Sequence, residues 1–262
     1  MTAITPLITL SQRRFELTAR RPRELFVPLI TPILFALVIA PALKVALHTG
    51  SAYESFVAVG TIGLLIPLTT MFSGLSVIVD RESAQRELLA APVPRPFLVL
   101  GNLAVALAVT AFQVVALLGF ALARGIDFHA GLAGLGWFLP AAVLLAVGMY
   151  GAAEALAGRV PRQEEYIARV PAIAIVPWFI AGALFPITAL PSFLTWIARF
   201  LPLTHGLALM RYGLLGDSSG LHDIWGSGSS TSMALLSLAV VALFALVLTV
   251  GSIRVFNRTA VK

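Results

Sequence analysis

Long uncharged runs alternate with short polar segments along most of the chain. Uncharged residues fill 56–79 and 97–123, runs of 24 and 27 residues, and mainly apolar runs also cover 25–43, 132–157 and 233–253. A helix needs roughly 20 apolar residues to cross the hydrocarbon core of a bilayer. Each of these runs therefore predicts a transmembrane helix.

The region after residue 170 departs from this simple alternation. Its first 29 residues, 170–198, carry no charge but contain four prolines. This run is too long for one span and too interrupted for two. We assign a fifth span to 170–184 and a re-entrant segment to 187–216, whose short helices enter the membrane and return. The polar and helix-breaking residues of that segment include Pro191, Pro202, His205 and Arg211. The whole pattern predicts an all-α integral membrane protein with six transmembrane helices.

Composition excludes a water-soluble protein. Hydrophobic residues make up 59% of the 262 residues, charged residues only 11%, and the mean hydropathy is +0.95, whereas a soluble domain has roughly 25% charged residues. Cysteine is absent, so we predict no disulfide and no cysteine-bound metal. The net charge of +6 comes from basic residues scattered at the span ends, and we therefore expect no nucleic-acid partner.

The basic residues lie mostly on one side of the predicted spans. Of the 18 Lys and Arg residues, 14 fall in the N-terminal segment, in the polar segments 80–96 and 159–169, and in the C-terminal tail. The positive-inside rule places these segments in the cytoplasm. We predict a multi-pass protein of a bacterial cytoplasmic (inner) membrane with both termini cytoplasmic. Residues 1–24 are expected to form an amphipathic helix along the lipid headgroups, ahead of a transmembrane domain at 25–262.

The polar segment 80–96, called the island below, lies between the second and third predicted spans. Glu82 and Arg86 stand four residues apart, Leu88 and Leu89 supply an apolar side, and three prolines then end the helical pattern. We predict a helix over 80–91. Two interpretations stay open, since the island is either an ordinary charged loop or a docking helix for a soluble partner.

The chain lacks the sequence signatures of common catalytic sites. It has no Gly-x-x-x-x-Gly-Lys-Ser/Thr loop and no His-Glu-x-x-His, and its four histidines are isolated. We therefore predict that it is not an enzyme and binds no metal or cofactor of its own.

Gln113 lies near the middle of a predicted span, and Glu154 is the one acidic residue inside a predicted span. Gln113 is expected to face protein or a cavity. Glu154 is either a functional carboxylate, for proton coupling or substrate contact, or the ion-pair partner of Arg159 or Arg162. A proton-coupled carrier usually holds several buried charges, and this chain offers one. That difference favours energy supplied by a partner.

Three stretches of the chain carry a likeness to one family. The first is Arg20-Arg21-Pro22-Arg23-Glu24-Leu25, which leads into the first span. The second combines Asp80-Arg81-Glu82, Glu87-Leu88-Leu89 and Pro92-Val93. The third contains Leu190-Pro191, Pro202-Leu203-Thr204-His205, Arg211 and Gly216. In this order they resemble the permease subunits of ABC-2-type exporters, the group that includes daunorubicin-resistance and Nod-factor export permeases. The chain departs from that family at Ser83-Ala84-Gln85, where a Gly-Thr pair is more common.

The resemblance implies a half-transporter permease. Two permeases, identical or paralogous, would pair with two separate ABC-type ATP-binding subunits, which would hold ATP and Mg. The island helix would be the coupling helix that enters a groove of the ATPase, and its residues would be Asp80, Arg81, Glu82, Arg86, Glu87, Leu88 and Leu89. The connecting helix would include Arg20, Arg21 and Arg23. The outer exit would be shaped by Pro191, Pro202, His205 and Arg211.

By the same resemblance, the substrate would be a hydrophobic or amphipathic molecule, a drug or antibiotic or a lipid, exported from the cell. The alternative is a stand-alone proton-coupled efflux carrier that uses Glu154. Export by such a carrier would collapse with an uncoupler and survive ATP depletion.

Overall fold

The structure, a computed structural model, describes residues 4–20, 22–46, 48, 50–83 and 95–259. Throughout these ranges every regular element is helical. The α-helices are α1 (Ile4–Ala19), α2 (Pro22–Leu34), α3 (Ala40–Ala46), α4 (Ser51–Ser73), α5 (Leu75–Ser83), α6 (Arg95–Ala123), α7 (Leu132–Ala157), α8 (Gln163–Ile180), α9 (Ser192–Phe200), α10 (Pro202–Leu215), α11 (Ser219–Trp225) and α12 (Ser230–Thr259).

Five helical stretches are long and apolar enough to cross a membrane. They are Phe26–Ala46 in α2 and α3, Ala52–Val79 in α4 and α5, Val99–Ala123 in α6, Leu132–Ala157 in α7, and Ser230–Val255 in α12. Each overlaps one of the predicted spans. The prediction of an all-α integral membrane protein is confirmed.

The fifth predicted span is corrected by the structure. Helix α8 begins at Gln163 and ends at Ile180, whereas the sequence placed this span at 170–184. Its first two turns carry three charges that the sequence analysis assigned to a polar segment. Two of them, Glu165 and Arg169, form an exposed ion pair at 3.7 Å one helical turn apart. Such charges are compatible with a helix end at the membrane surface.

Helix α8 runs antiparallel to α4, as three hydrogen bonds show. The Tyr53 hydroxyl donates to the Leu184 carbonyl at 3.0 Å, Trp178 Nε1 donates to the Gly60 carbonyl at 2.7 Å, and the Tyr166 hydroxyl donates to the Met71 carbonyl at 2.6 Å. Residue numbers rise along α4 as they fall along α8. At 1.5 Å per residue these contacts extend over about 27 Å, close to the thickness of the hydrocarbon core. Helix α8 is not one of the five apolar stretches above, but together with the segment up to Leu184 it follows α4 over the length of a crossing.

The first crossing is irregular around its prolines. Pro28 and Pro32 lie inside α2, and a short π-helix, Phe35–Ile39, joins α2 to α3. The Ala40 N–H donates to the Phe35 carbonyl, five residues back. Pro41 follows directly and has no N–H to continue the ordinary ladder. A π segment is a known way to accommodate such an interruption.

Helices α9 and α10 meet at Leu201 with a bend of 80°. This geometry is that of a broken span or a re-entrant loop, at the position where the sequence predicted a re-entrant segment. Helix α9 is strongly two-sided. Phe193, Trp196 and Phe200 are each more than 60% exposed, while Ala198 is buried. Helix α10 packs against α7 and α12.

The core surrounds α4, whose surface is apolar on all sides. In Ala52–Val79, 72% of the most apolar stretch is buried inside the protein. In each of the other four candidate spans this share is 39% or less. A helix that is hydrophobic all round is buried by its neighbours, and α4 contacts α2, α6, α7, α8 and α10. Gly60 permits the closest approach, since a side chain there would overlap the Ala183 carbonyl. The central helix is thus the one that leads directly to the island.

Candidate functional site

The island follows α4 along the chain and begins within α5. Helix α5 continues the chain past Gly74 to Ser83, and α6 begins at Arg95. Asp80, Arg81 and Glu82 therefore lie in the last turns of α5. The other predicted coupling residues, Arg86, Glu87, Leu88 and Leu89, lie outside the described residues. We call the end of the bundle where α5 finishes and α6 begins the island end, and the opposite end the far end.

The junction between α4 and α5 is held by α8. Gly74 separates the two helices, and a side chain at this position would overlap the Tyr166 hydroxyl and Ala153. The Tyr166 hydroxyl donates to the Met71 carbonyl in the last turn of α4. The Gly74 N–H donates to the same carbonyl at 3.1 Å. Tyr166 therefore positions the turn from which α5 and the island extend, and sequence analysis missed it.

The buried carboxylate of Glu154 lies near this junction. Glu154 is 4% exposed and accepts a hydrogen bond from the Tyr150 hydroxyl, one turn earlier on α7. Arg14 of α1 lies close enough to act electrostatically on Tyr150. Arg159 and Arg162, the predicted partners of Glu154, are both exposed, and the hydrogen-bond partner that the structure gives Glu154 on its own helix is Tyr150. The four-residue spacing of this pair was readable in the sequence.

The N-terminal helix lies against the crossings at the island end. Helix α1 packs along α6. The arginines predicted to matter lie at or beyond its end. Arg20 is exposed just after α1, Arg23 lies in the first turn of α2, and Arg21 lies outside the described residues. Arg14 is the arginine of α1 that reaches the interior. The charge pattern of the sequence does not distinguish it from Arg13.

A cavity of about 360 Å³ opens between α1, α2, α4, α5 and α6 at the island end. Arg14, Asn102 and Gln163 contribute polar groups to its lining, and Phe72 and Val105 contribute apolar ones. Among the cavities described, it is the one large enough for an organic ligand.

Gln113 and Thr69 form a polar contact inside the membrane. Gln113 on α6 is fully buried and accepts a hydrogen bond from the Thr69 hydroxyl on α4. The contact satisfies a polar group that would be costly to expose to lipid. The structure places the predicted intramembrane Gln113 against protein.

Arg211 fastens three elements at the far end. Its guanidinium is 4% exposed and donates to the carbonyls of Gly182 and Ala183 at 2.9 Å each. It also donates to the Phe56 carbonyl at 3.4 Å and lies over the Phe56 ring, with Cζ 3.4 Å from the centroid. These two carbonyls belong to the segment that directly follows α8. Arg211 thus joins α10 to that segment and to α4.

His205 lies in a second buried network at the same end. One ring nitrogen lies 3.1 Å from the Ser237 hydroxyl and the other 2.9 Å from the Arg199 carbonyl. Trp225 Nε1 donates to Ser237 at 2.9 Å. Pro191 and Pro202 begin α9 and α10. Of the predicted exit residues, Pro202, His205 and Arg211 thus lie on α10 and Pro191 directly precedes α9. The side chains of His205 and Arg211 hold backbone rather than face an open passage within one chain.

Metal binding finds no support in the described part of the chain, where no three His, Asp or Glu residues are arranged to hold an ion. The buried polar groups at the two ends of the bundle take part in hydrogen bonds, place charges and, at the island end, line a cavity. This arrangement suits a protein that moves other molecules or transmits movement.

Comparison with known proteins gives one result for the chain as a whole. The family described as ABC-2 type transporter matches residues 5–215, which include α1 to α10 and the island. No curated protein matches the chain.

Proposed function

The chain belongs to the ABC-2 type transporter family, and on that premise we propose that it is the permease subunit of an ATP-driven exporter. Members of this family are membrane components of ABC-type transporters and generally work with an ATP-binding subunit. Beyond that general role, we propose the direction of transport, the place where the ATP-binding subunit docks and the class of substrate.

The observation that carries the proposal is the path from α4 to the island. The most buried crossing leads through the Gly74 junction into α5 and the island. Tyr166 fixes the junction to α8. A force applied at the island would therefore reach the centre of the bundle through α5, the Gly74 junction and α4, and packed helices transmit such displacement as rigid bodies.

In the proposed assembly, two copies of this permease, or one copy and a paralogue, pair with two ATP-binding subunits. ATP and Mg bind to those subunits, and this chain contributes no catalytic residue. The coupling residues are Asp80, Arg81, Glu82, Arg86, Glu87, Leu88 and Leu89. The island end and both termini face the cytoplasm of a bacterial inner membrane, in accordance with the distribution of basic residues.

The proposed substrates are hydrophobic or amphipathic molecules, either drugs and antibiotics or lipids. Arg211 and His205 are proposed to shape the outer exit indirectly, because they hold the α8–α10 region in place at the far end. The connecting-helix arginines Arg20, Arg21 and Arg23 are proposed to lie at the cytoplasmic membrane surface.

The proposal is tested by affinity purification of the full chain from its native membranes in a mild detergent, with identification of the proteins that co-purify. We expect a soluble ATPase with a Walker-type phosphate-binding loop in stoichiometric amount. The double variant Leu88→Asp and Leu89→Asp should lose it because two carboxylates replace the apolar side of the docking helix. A wild-type chain that purifies alone would contradict the proposal.

The alternative carrier mechanism makes the opposite energetic prediction. Glu154 is buried against Tyr150, which is a defined environment for a carboxylate but does not by itself indicate proton transfer. Export that collapses with a protonophore while ATP is clamped high would favour the stand-alone carrier. Export that stops on ATP depletion while the proton gradient is maintained favours the ABC permease.

A further inference from the structure

We propose that the island-end cavity binds a neutral, hydroxyl-bearing amphiphile. The residues that line the cavity extend from Thr69 on α4 to Val79 on α5, which is about 15 Å along these two helices at 1.5 Å per residue. A volume of about 360 Å³ lies within the range of small-molecule sites.

One wall of the cavity carries a row of hydroxyl groups. Thr69, Ser73 and Ser76 occur at the spacing i, i+4 and i+7, which places them along one side of the α4–α5 path. Each donates its proton within the protein. Thr69 donates to the Gln113 side chain, Ser73 to the Thr69 carbonyl at 2.9 Å, and Ser76 to the Ser73 carbonyl at 2.5 Å. The three oxygens retain lone pairs, so the wall accepts hydrogen bonds from a ligand.

The opposite wall is apolar. Val105 and Val109 of α6 line it, and Val27 of α2 lies at its edge, half exposed. A ligand that fills the cavity therefore needs a polar edge and an apolar edge side by side. This requirement describes an amphiphile better than a sugar or a pure hydrocarbon.

The charges near the cavity select a neutral polar edge. Arg14 in the lining opposes a cationic group. Arg14 attracts an anionic group, but with these internal bonds kept the hydroxyl wall offers an anion only lone pairs and so disfavours it along that wall. A hydroxyl group can donate to Thr69, Ser73 and Ser76 and also accept from Asn102. Its hydrogen-bonding capacity therefore matches both sides of the lining.

The cavity lies on the side of the bundle that the proposed function places toward the inner leaflet. We assign the same ligand class to the exported substrate, and in this respect the inference rests on the proposed function. The site itself does not, because binding is a property of this chain alone.

The test is equilibrium dialysis of the full-length permease in lipid discs against radiolabelled octyl glucoside below its critical micelle concentration, with empty discs as the blank. Octyl sulfate and octylammonium serve as competitors of equal chain length and opposite charge. We expect saturable binding of the glucoside at about one molecule per chain. Each charged competitor should be about tenfold weaker, the difference expected from one or two hydrogen bonds.

Two variants place the binding in this cavity. Val27→Trp enlarges a 50% exposed side chain at the cavity edge and should weaken glucoside binding at least about tenfold. Ile30→Trp, at a 55% exposed position on the same helix outside the cavity lining, is the matched control and should leave binding unchanged. The double variant Ser73→Ala and Ser76→Ala should reduce the preference for glucoside over octyl sulfate by about tenfold.

The outcomes separate the site from the substrate role. Absence of saturable binding, or equal binding by Val27→Trp and wild type, would overturn the site. Equal or tighter binding of octyl sulfate would overturn the neutral hydroxyl class. In the complex with its ATPase, octyl glucoside should raise the rate of ATP hydrolysis. Binding without that stimulation would overturn the substrate role alone, and the lack of any associated ATPase would instead contradict the proposed function.

Discussion

The two ends of α4 are built differently. At the far end, Tyr53 and Arg211 join α4 to the segment after α8, and Trp178 adds a third bond to Gly60 one to two turns further in. At the island end, the bond from α8 to α4 that the described residues show is that of the Tyr166 hydroxyl, and Thr69 bonds to Gln113 on α6. The largest cavity described also lies at that end. The far end is thus joined to the α8–α10 region by several hydrogen bonds, whereas the island end of α4 borders a cavity of about 360 Å³.

This difference indicates which end can move. Close packing transmits displacement, and a void beside a helix leaves room for it. A far end fixed by several bonds would act as the fulcrum, and the island end, where the ATPase is proposed to dock, would be the part displaced. Substitutions at the far end should therefore act mainly on stability, and substitutions at the island end mainly on coupling.

The largest effect is expected for Arg211→Met. The methionine keeps much of the apolar bulk but leaves the carbonyls of Gly182 and Ala183 without their charged donor, which should cost about 3 kcal/mol or more. The thermal midpoint in detergent should fall by several degrees. Arg199→Met is the matched control, since Arg199 makes an exposed contact to the Asp223 carbonyl. Equal midpoints for Arg211→Met and wild type would show that the far end is not fastened in this way.

Tyr166→Phe should reduce stability less than Arg211→Met does. Its effect on the coupling between transport and ATP hydrolysis should be larger. The Met71 carbonyl keeps its bond from the Gly74 N–H, so the loss should be about 1 kcal/mol. The ATPase rate of the complex should become less sensitive to transported substrate because the α4–α5 junction is released. Tyr212→Phe is the matched control, because it removes a tyrosine hydroxyl from α10, away from that junction. Equal coupling in Tyr166→Phe and Tyr212→Phe would remove the assigned role of Tyr166.

The smallest effect is expected at Asp223, in α11 at the far end. Partial burial, and to a lesser degree the nearby Asp217, raise the pKa of Asp223. A carboxyl group whose pKa is higher in the folded protein than in the unfolded chain binds protons more tightly when folded. Its contribution to the free energy of unfolding therefore grows as the pH falls through the folded pKa toward the unfolded pKa. The thermal midpoint of wild type relative to Asp223→Asn should rise slightly between neutral and mildly acidic pH. A relative midpoint that falls instead would contradict this sign.

Most crossings could be predicted from the sequence because the bilayer imposes their length. The fifth was placed too late in the chain, since the charges of Glu164, Glu165 and Arg169 looked like a loop. They form the first turns of α8, where Glu165 and Arg169 pair. The stretch 187–216 was recognisable as irregular because its prolines interrupt an apolar run, and the 80° bend falls directly before Pro202.

The polar contacts were harder to predict. Gln113 and Glu154 stood out as isolated polar residues in apolar runs, but the identity of their partners depends on how helices pack. Thr69 and Gln113 are 44 residues apart, and Tyr166 and Met71 are 95 apart. The Tyr150–Glu154 pair and the row of Thr69, Ser73 and Ser76 are local, and helical spacing alone could have identified both.

The central claim, that the island couples this permease to an ATPase, is tested most directly by a matched pair of charge exchanges. The island pair Glu82 and Arg86 has the same spacing and order as the exposed pair Glu165 and Arg169 at the start of α8. The variants are Glu82→Arg with Arg86→Glu, and Glu165→Arg with Arg169→Glu. Both should purify as monodisperse protein, since each exchange keeps opposite charges one turn apart. The account predicts that the first loses its co-purifying ATPase and the second retains it. Equal retention of the ATPase by both variants would contradict the claim.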